Sequence, residues 1–293
     1  MAVVLSNKFI KRYIIIMGKL KVGAFLNSFA MDFDSAMAMA HKLGLDSIEF
    51  ATMKEFDLFR PLSDEQIKRI KDSFAKNNMV ISSLCGEVGG FSIADTDECK
   101  KRVAAVKEVI DNAVRLDVNI LQFHIGGLKF DENDSRFIAN QNTEEKNDGD
   151  PKTNLINALK ELDAYAEKAG VKLATETGPE PGDRLAAFIK ENGFKYVYVN
   201  FDPANLVMNG YDEIQCAKDL KDFIIQTHAK DGIFGSVKDG YKETPLGEGD
   251  VHWDEYLKVL TEAGFDGNFI IERECGDTPA DDIAKAASFL KNW

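Results

Sequence analysis

The sequence predicts an α/β chain folded as a single-domain (β/α)8 TIM barrel, and three observations carry that prediction. From Leu20 onward, short β-rich runs alternate with stretches whose apolar residues recur three and four apart. Several of those helical stretches stop at a glycine just before the next strand, as at Gly44, Gly170 and Gly193. The length, 293 residues, suits one barrel without a second domain.

Eight strands are expected. In chain order they are "LKVGAFLNSF" (20–29), "LDSIEFAT" (45–52), "MVISSLCGEV" (79–88), "VNILQFHIG" (118–126), "VKLATETG" (171–178), "KYVYVNFDP" (195–203), "FIIQTHAKD" (223–231) and "GNFIIERE" (267–274). Amphipathic stretches such as "SDEQIKRIKDSFAKNN" and "TNLINALKELDAYAEKAG" separate them, and "TPADDIAKAASFLKNW" closes the chain. Eight such alternations are what a closed parallel barrel requires. A doubly wound sheet fits less well, because no Gly-x-Gly-x-x-Gly turn follows the first strand.

Two connections are longer than the plan needs. Residues 127–152 follow the fourth strand and are polar and acidic, which reads as a solvated insertion. The glycine-rich segment 232–250 follows the seventh. Both belong to the face where barrel enzymes carry their chemistry. Residues 1–16 read as an N-terminal extension ahead of a barrel spanning 17–293, with Met17 as an alternative start.

Composition narrows the function. A formal charge of −13 disfavours nucleic acid and anionic membrane surfaces, whose phosphates call for surplus Lys and Arg. No apolar run is long enough for a membrane helix. The four cysteines, Cys85, Cys99, Cys216 and Cys275, include no C-x-x-C pair and read as reduced thiols of a cytoplasmic protein. A small-molecule partner is expected; homo-oligomerisation is left open.

Charged residues then mark the strand ends. Barrel strands are buried on both sides, so an ionisable residue within one needs a compensating partner. Glu176 ends the fifth strand, Asp202 the sixth, His228 the seventh and Glu272 the eighth. Side chains alternate along a strand, and one choice of parity turns all four toward the same mouth. Three carboxylates cannot crowd together uncompensated: either some hold protons or a divalent cation sits among them. Separate satisfaction of each by hydroxyls and backbone is the plainer explanation for any one residue, but four successive strands make it a strained coincidence. Three oxygen donors and a neutral imidazole suit one divalent ion, Mn²⁺, Mg²⁺, Co²⁺ or Zn²⁺.

With these residues, the chain resembles the xylose isomerase-like TIM barrels, in the sugar (phosphate) isomerase/epimerase group. The resemblance runs from Leu20 to Trp293 and includes "SSLCGEVGGF" after the third strand, "FHIGG" on the fourth and "PLGEGDVHWDEYLKVL" before the penultimate helix. It implies that Glu176, Asp202, His228 and Glu272 bind one divalent metal, and that Glu176 and Glu272 also move protons. The activity so implied is isomerisation or epimerisation of a small ketose or polyol through an enediolate. The resemblance also covers the inosose dehydratases, which leaves dehydration of a keto-cyclitol open, as well as a non-catalytic sugar-binding barrel. Two positions depart from the family. Many relatives carry histidine where this chain has Asn205, and the 3-epimerases carry arginine where it has Phe234. The apurinic endonuclease branch needs about five histidines for its zinc cluster, and this chain has four, with His41 and His252 expected on helices.

Four further residues are expected to meet substrate: His124 at the end of the fourth strand, Glu49 on the second, Asn205 and Lys230. Lys230 is otherwise expected to pair with Asp231, and Glu87 to be a loop charge. Glu274 rivals Glu272 in register, and Glu272 is preferred because it directly follows "FII". Asp277, Asp281 and Asp282 crowd the start of the last helix, which disfavours a phosphate there and favours an unphosphorylated substrate, although Lys238 and Lys242 precede them.

Overall fold

A computed structural model describes residues 20–128 and 148–293. The N-terminal extension over 1–16, and most of the acidic insertion over 127–152, lie outside those residues.

Eight parallel strands close into one barrel: β1 (Lys21–Phe25), β2 (Ser47–Phe50), β3 (Val80–Cys85), β4 (Ile120–Phe123), β5 (Lys172–Glu176), β6 (Val197–Phe201), β7 (Ile224–Ala229) and β8 (Asn268–Ile271). Each pairs with its neighbours in sequence, and β1 closes on β8 through the register Lys21↔Asn268 to Ala24↔Ile271. The (β/α)8 expectation holds. The strands are shorter than the apolar runs that announced them; "VNILQFHIG", for instance, contributes only Ile120–Phe123 to the ladder. Apolar character continues past the hydrogen-bonded segment because the first residues of the following loops are buried as well, as Ile125 and Leu128 are.

Nine helices surround the barrel among the described residues: α1 (Phe33–Lys42), α2 (Asp64–Lys76), α3 (Thr96–Arg115), α4 (Pro151–Ala169), α5 (Gly182–Asn192), α6 (Pro203–Met208), α7 (Glu213–Leu220), α8 (Trp253–Glu262) and α9 (Pro279–Asn292). Side chains fix their starts. Ser63 and Gln66 form a reciprocal capping box on α2, and Asp95 and Asp150 accept the backbone N–H groups that open α3 and α4. Gly170 and Gly193 end α4 and α5 in the left-handed conformation. His252 holds the N-cap position of α8 without a side-chain capping bond, so it precedes that helix; His41 lies in α1 as expected.

Between barrel and helices runs a continuous apolar layer. Phe33, Phe50 and Phe56 meet edge to face with centroids 5.0–5.9 Å apart. One close approach constrains closure: a Cβ at Gly23 would sit 2.4 Å from Ser47 Oγ, so only glycine lets β1 lie against β2 there.

The glycine-rich connection after β7 is ordered. Asp231–Gly232 pairs antiparallel with Glu243–Thr244. The Asp231 carboxylate accepts from the backbone N–H groups of Gly232, Gly247 and Val251 and from Trp253 Nε1. Glu243, from the same connection, accepts from Arg273 Nη1. Among the described residues no helix is long and apolar enough to cross a membrane.

Candidate metal centre

The strand ends put Glu176, Asp202, His228 and Glu272 at one mouth of the barrel. Glu176 is the last residue of β5, Asp202 follows β6 and caps α6, His228 is next to last in β7, and Glu272 follows β8. One potential ligand atom from each lies within 4.8 Å of all the others. All four side chains are buried. His228 Nδ1 stands 3.2 Å from Glu272 Oε2, 3.5 Å from Glu176 Oε2 and 4.0 Å from Asp202 Oδ2.

These residues fit a divalent cation. Asp202 Oδ2 and His228 Nδ1 are both buried with no hydrogen-bond partner among the described residues, although burial normally demands one. Three carboxylates and one imidazole supply the mixed oxygen and nitrogen donor set that Mg²⁺, Mn²⁺, Co²⁺ or Zn²⁺ accepts.

The protein answers part of the charge itself. Burial raises the Asp202 carboxyl well above its ordinary range, opposed by Lys230. Burial acts upward on Glu176 too, but the imidazoles of His228 and His124 outweigh it and hold that carboxyl below its usual value. Glu272 resists burial likewise and is held far down by Lys230 and His228. For His228 burial acts downward, and Glu272, Glu176 and Glu49 overcome it.

Around this cluster the sequence expectations divide. Asn205 stands beside it, donating Nδ2 to Glu176 Oε1 at 2.7 Å. His124 lies at the rim, partly exposed, with Nε2 3.7 Å from Glu176 Oε2. Burial lowers its pKa, but Glu176 and Glu87 raise it to about 9. Glu87 requires a correction: it accepts from both the backbone N–H and Nδ1 of His124, and so orients that ring rather than being a loop charge. Lys230 requires another. Its Nζ lies 3.0 Å from Glu272 Oε2 and 3.8 Å from Asp202 Oδ2 and also contacts Glu274, with no pairing to Asp231. Alternation explains this, since Lys230 shares the inward face with His228 while Asp231 turns to the following loop. Its ammonium is buried among carboxylates, which leaves it a charge-balancing group more than a free substrate contact. Glu49 is 0% exposed, with Oε1 3.3 Å from His228 Nε2.

Gln122 escaped the sequence reading. Its Nε2 donates to Glu176 Oε2 from the middle of β4. The available signal was a polar amide inside "ILQF", in a strand otherwise apolar. Asp282, read as part of an acidic helix start, is bound by Arg273 Nε at 3.0 Å. Glu274 is Lys230's outer partner and stands apart from the four-residue cluster.

Residues 37–293 match the family model described as xylose isomerase-like TIM barrel. The chain belongs to that family. Curated members it resembles include an L-ribulose-5-phosphate 3-epimerase, UlaE, of Escherichia coli (strain SMS-3-5 / SECEC), 25% identical over 270 residues, covering 87% of each chain. An inosose dehydratase of Clostridium perfringens (strain 13 / Type A) is 26% identical over 161 residues, covering 47% of this chain and 53% of that one. The match therefore spans about half of the dehydratase. Among solved structures, a xylose isomerase domain protein from Planctomyces limnophilus superposes with a TM-score of 0.74 at 22% identity, covering 94% of this chain and 97% of that one. A xylose isomerase-like TIM barrel protein from Mycobacterium smegmatis, in complex with magnesium, gives 0.67 at 20% identity, covering 94% and 97%. Sugar epimerases are thus among the family members that this chain is similar to.

Proposed function

We propose that the protein is a metal-dependent sugar isomerase or epimerase acting on a small ketose or polyol. One observation carries this reading: two buried glutamates, Glu176 and Glu272, share a ligand cluster with Asp202 and His228. Their strands, β5 and β8, stand at the two ends of a four-strand arc, with β6 and β7 between them. Two carboxylates so separated approach a substrate from different sides.

Glu176, Asp202, His228 and Glu272 would hold one divalent ion, Mn²⁺, Mg²⁺, Co²⁺ or Zn²⁺. When bound, that ion supplies Lewis-acid stabilisation of the oxygen charge that develops as a carbon-bound proton leaves. One glutamate removes that proton to give an enediolate, and the other returns one. Return to the same carbon from the opposite side inverts the centre; return to the neighbouring carbon interconverts aldose and ketose. Asn205 and Gln122 hold Glu176 by an amide on each oxygen. His124 and Asn205 would meet substrate hydroxyls. A cytoplasmic location belongs to the same reading and is supported by four free cysteines.

A second reading, dehydration of a keto-cyclitol, draws on the inosose dehydratase likeness and on Asn205 and Phe234, which stand where many relatives carry histidine and the 3-epimerases carry arginine. Phe234 is exposed on the connection after β7. Incubating Mn²⁺-loaded protein with a panel of ketoses and inososes in D₂O tests both. Isomerisation or epimerisation leaves deuterium on carbon with the atom count otherwise unchanged; dehydration loses water. Neither outcome on any member of the panel, with ligand bound, points instead to a sugar-binding barrel without turnover.

A further inference from the structure

Glu49 is a carboxylate with no exposure at all, in the middle of β2. An isolated buried carboxylate is costly, so its surroundings should disclose its use. Oε2 accepts from Ser83 Oγ at 2.8 Å and from Gln226 Nε2. Oε1 faces His228 Nε2 at 3.3 Å. Residues of β3 and β7 therefore pin one oxygen and aim the other at the histidine.

A carboxylate only accepts, so the imidazole nitrogen that faces it carries hydrogen. In a neutral ring the other nitrogen, Nδ1, then keeps its lone pair. Nδ1 is the atom turned toward Glu176, Asp202 and Glu272, and it is buried without a hydrogen-bond partner among the described residues. The two edges of one ring face two different tasks.

We infer that Glu49 is a positioning residue: it fixes His228 in the Nε2–H tautomer and presents Nδ1 as the metal-ligating atom. This rests on the reading of the four-residue cluster as a metal centre. It replaces the substrate-binding role expected of Glu49 with an action through His228. Partners of this kind raise the basicity of a ligating histidine and hold its ring plane, and their loss typically weakens metal binding 10–100-fold.

Two measurements test it. Calorimetric titration of Mn²⁺ into metal-free protein should give Glu49→Gln an affinity about 10–100-fold below that of the parent. Nitrogen-15 NMR of the Zn²⁺-loaded parent, labelled at histidine, should show His228 with a proton on Nε2 and a metal-shifted Nδ1. The spectrum needs no variant, so it stands even if Glu49→Gln fails to fold. A proton on Nδ1, metal on Nε2, or a Glu49→Gln affinity within about twofold of the parent overturns the inference while leaving the metal centre intact. A parent protein that binds neither Mn²⁺ nor Zn²⁺ overturns both.

Discussion

Asn205 touches two of the candidate ligands at once: its side-chain amide donates to Glu176 Oε1 at 2.7 Å and its backbone N–H to Asp202 Oδ1 at 3.0 Å. A substitution here removes only the first bond. Asn205→Ala should therefore weaken Mn²⁺ binding by about 10-fold or more, the loss typical of a supporting contact. Asn205→Asp removes the same bond but adds negative charge that the ion neutralises, so it should bind Mn²⁺ more tightly than Asn205→Ala does. Equilibrium dialysis with Mn²⁺ measures both.

Glu176→Gln and Glu272→Gln should each abolish turnover, because a carboxamide neither takes nor returns the carbon-bound proton. Exchange of substrate hydrogen with D₂O reads the step directly. Exchange that persists at the parental rate in both variants would remove these residues as proton carriers.

Metal removal should lower the melting temperature, and Mn²⁺ should restore it. Ligation of the native state alone adds about 2.7 kcal/mol when free metal is a hundredfold above Kd. Differential scanning calorimetry on chelator-treated and refilled protein checks this, and identical melting curves would count against a resident ion.

Lys230→Met should act unequally on the two forms. Without metal, Glu272 and Asp202 lose their nearest ammonium, and breaking such a buried arrangement costs about 3–5 kcal/mol. With Mn²⁺ bound, the loss should shrink, because the ion supplies positive charge to the same oxygens. The variant's stabilisation by metal should consequently exceed the parent's.

Burial lifts Glu180 to about 8, and its Oε2 has no hydrogen-bond partner among the described residues. The folded pKa lies above the ordinary carboxyl value, so the fold favours the protonated acid. Stability is then whole below the ordinary value and declines as pH rises toward 8. Glu180→Gln removes that decline, and its melting temperature should overtake the parent's progressively between about pH 5 and about pH 9.

Much of the architecture was legible because the alternation of strand and helix periods leaves little choice of fold. The four ligand candidates were legible for a related reason: a charged residue at the end of an apolar strand has few places to go. Their supports were not. Gln122 and Glu49 sit in the middle of their strands, and nothing local distinguishes an amide or carboxylate that props a ligand from one that meets substrate. Lys230 was paired with its sequence neighbour Asp231, although adjacent residues on a strand point to opposite faces. Glu87 and His124 are 37 positions apart, and only the closure of β3 on β4 brings them together.

Asp231, just past the end of strand seven, has a second task. Its carboxylate gathers three backbone amides and an indole from the following loop, while His228 and Lys230 look the other way. A one-residue slip of this strand would send the imidazole outward and leave the loop without its mooring in the same movement. Insertions or deletions between His228 and Asp231 should thus be tolerated far less than changes among the exposed tips of the same loop, because they would turn the imidazole out of the cluster and release the loop together.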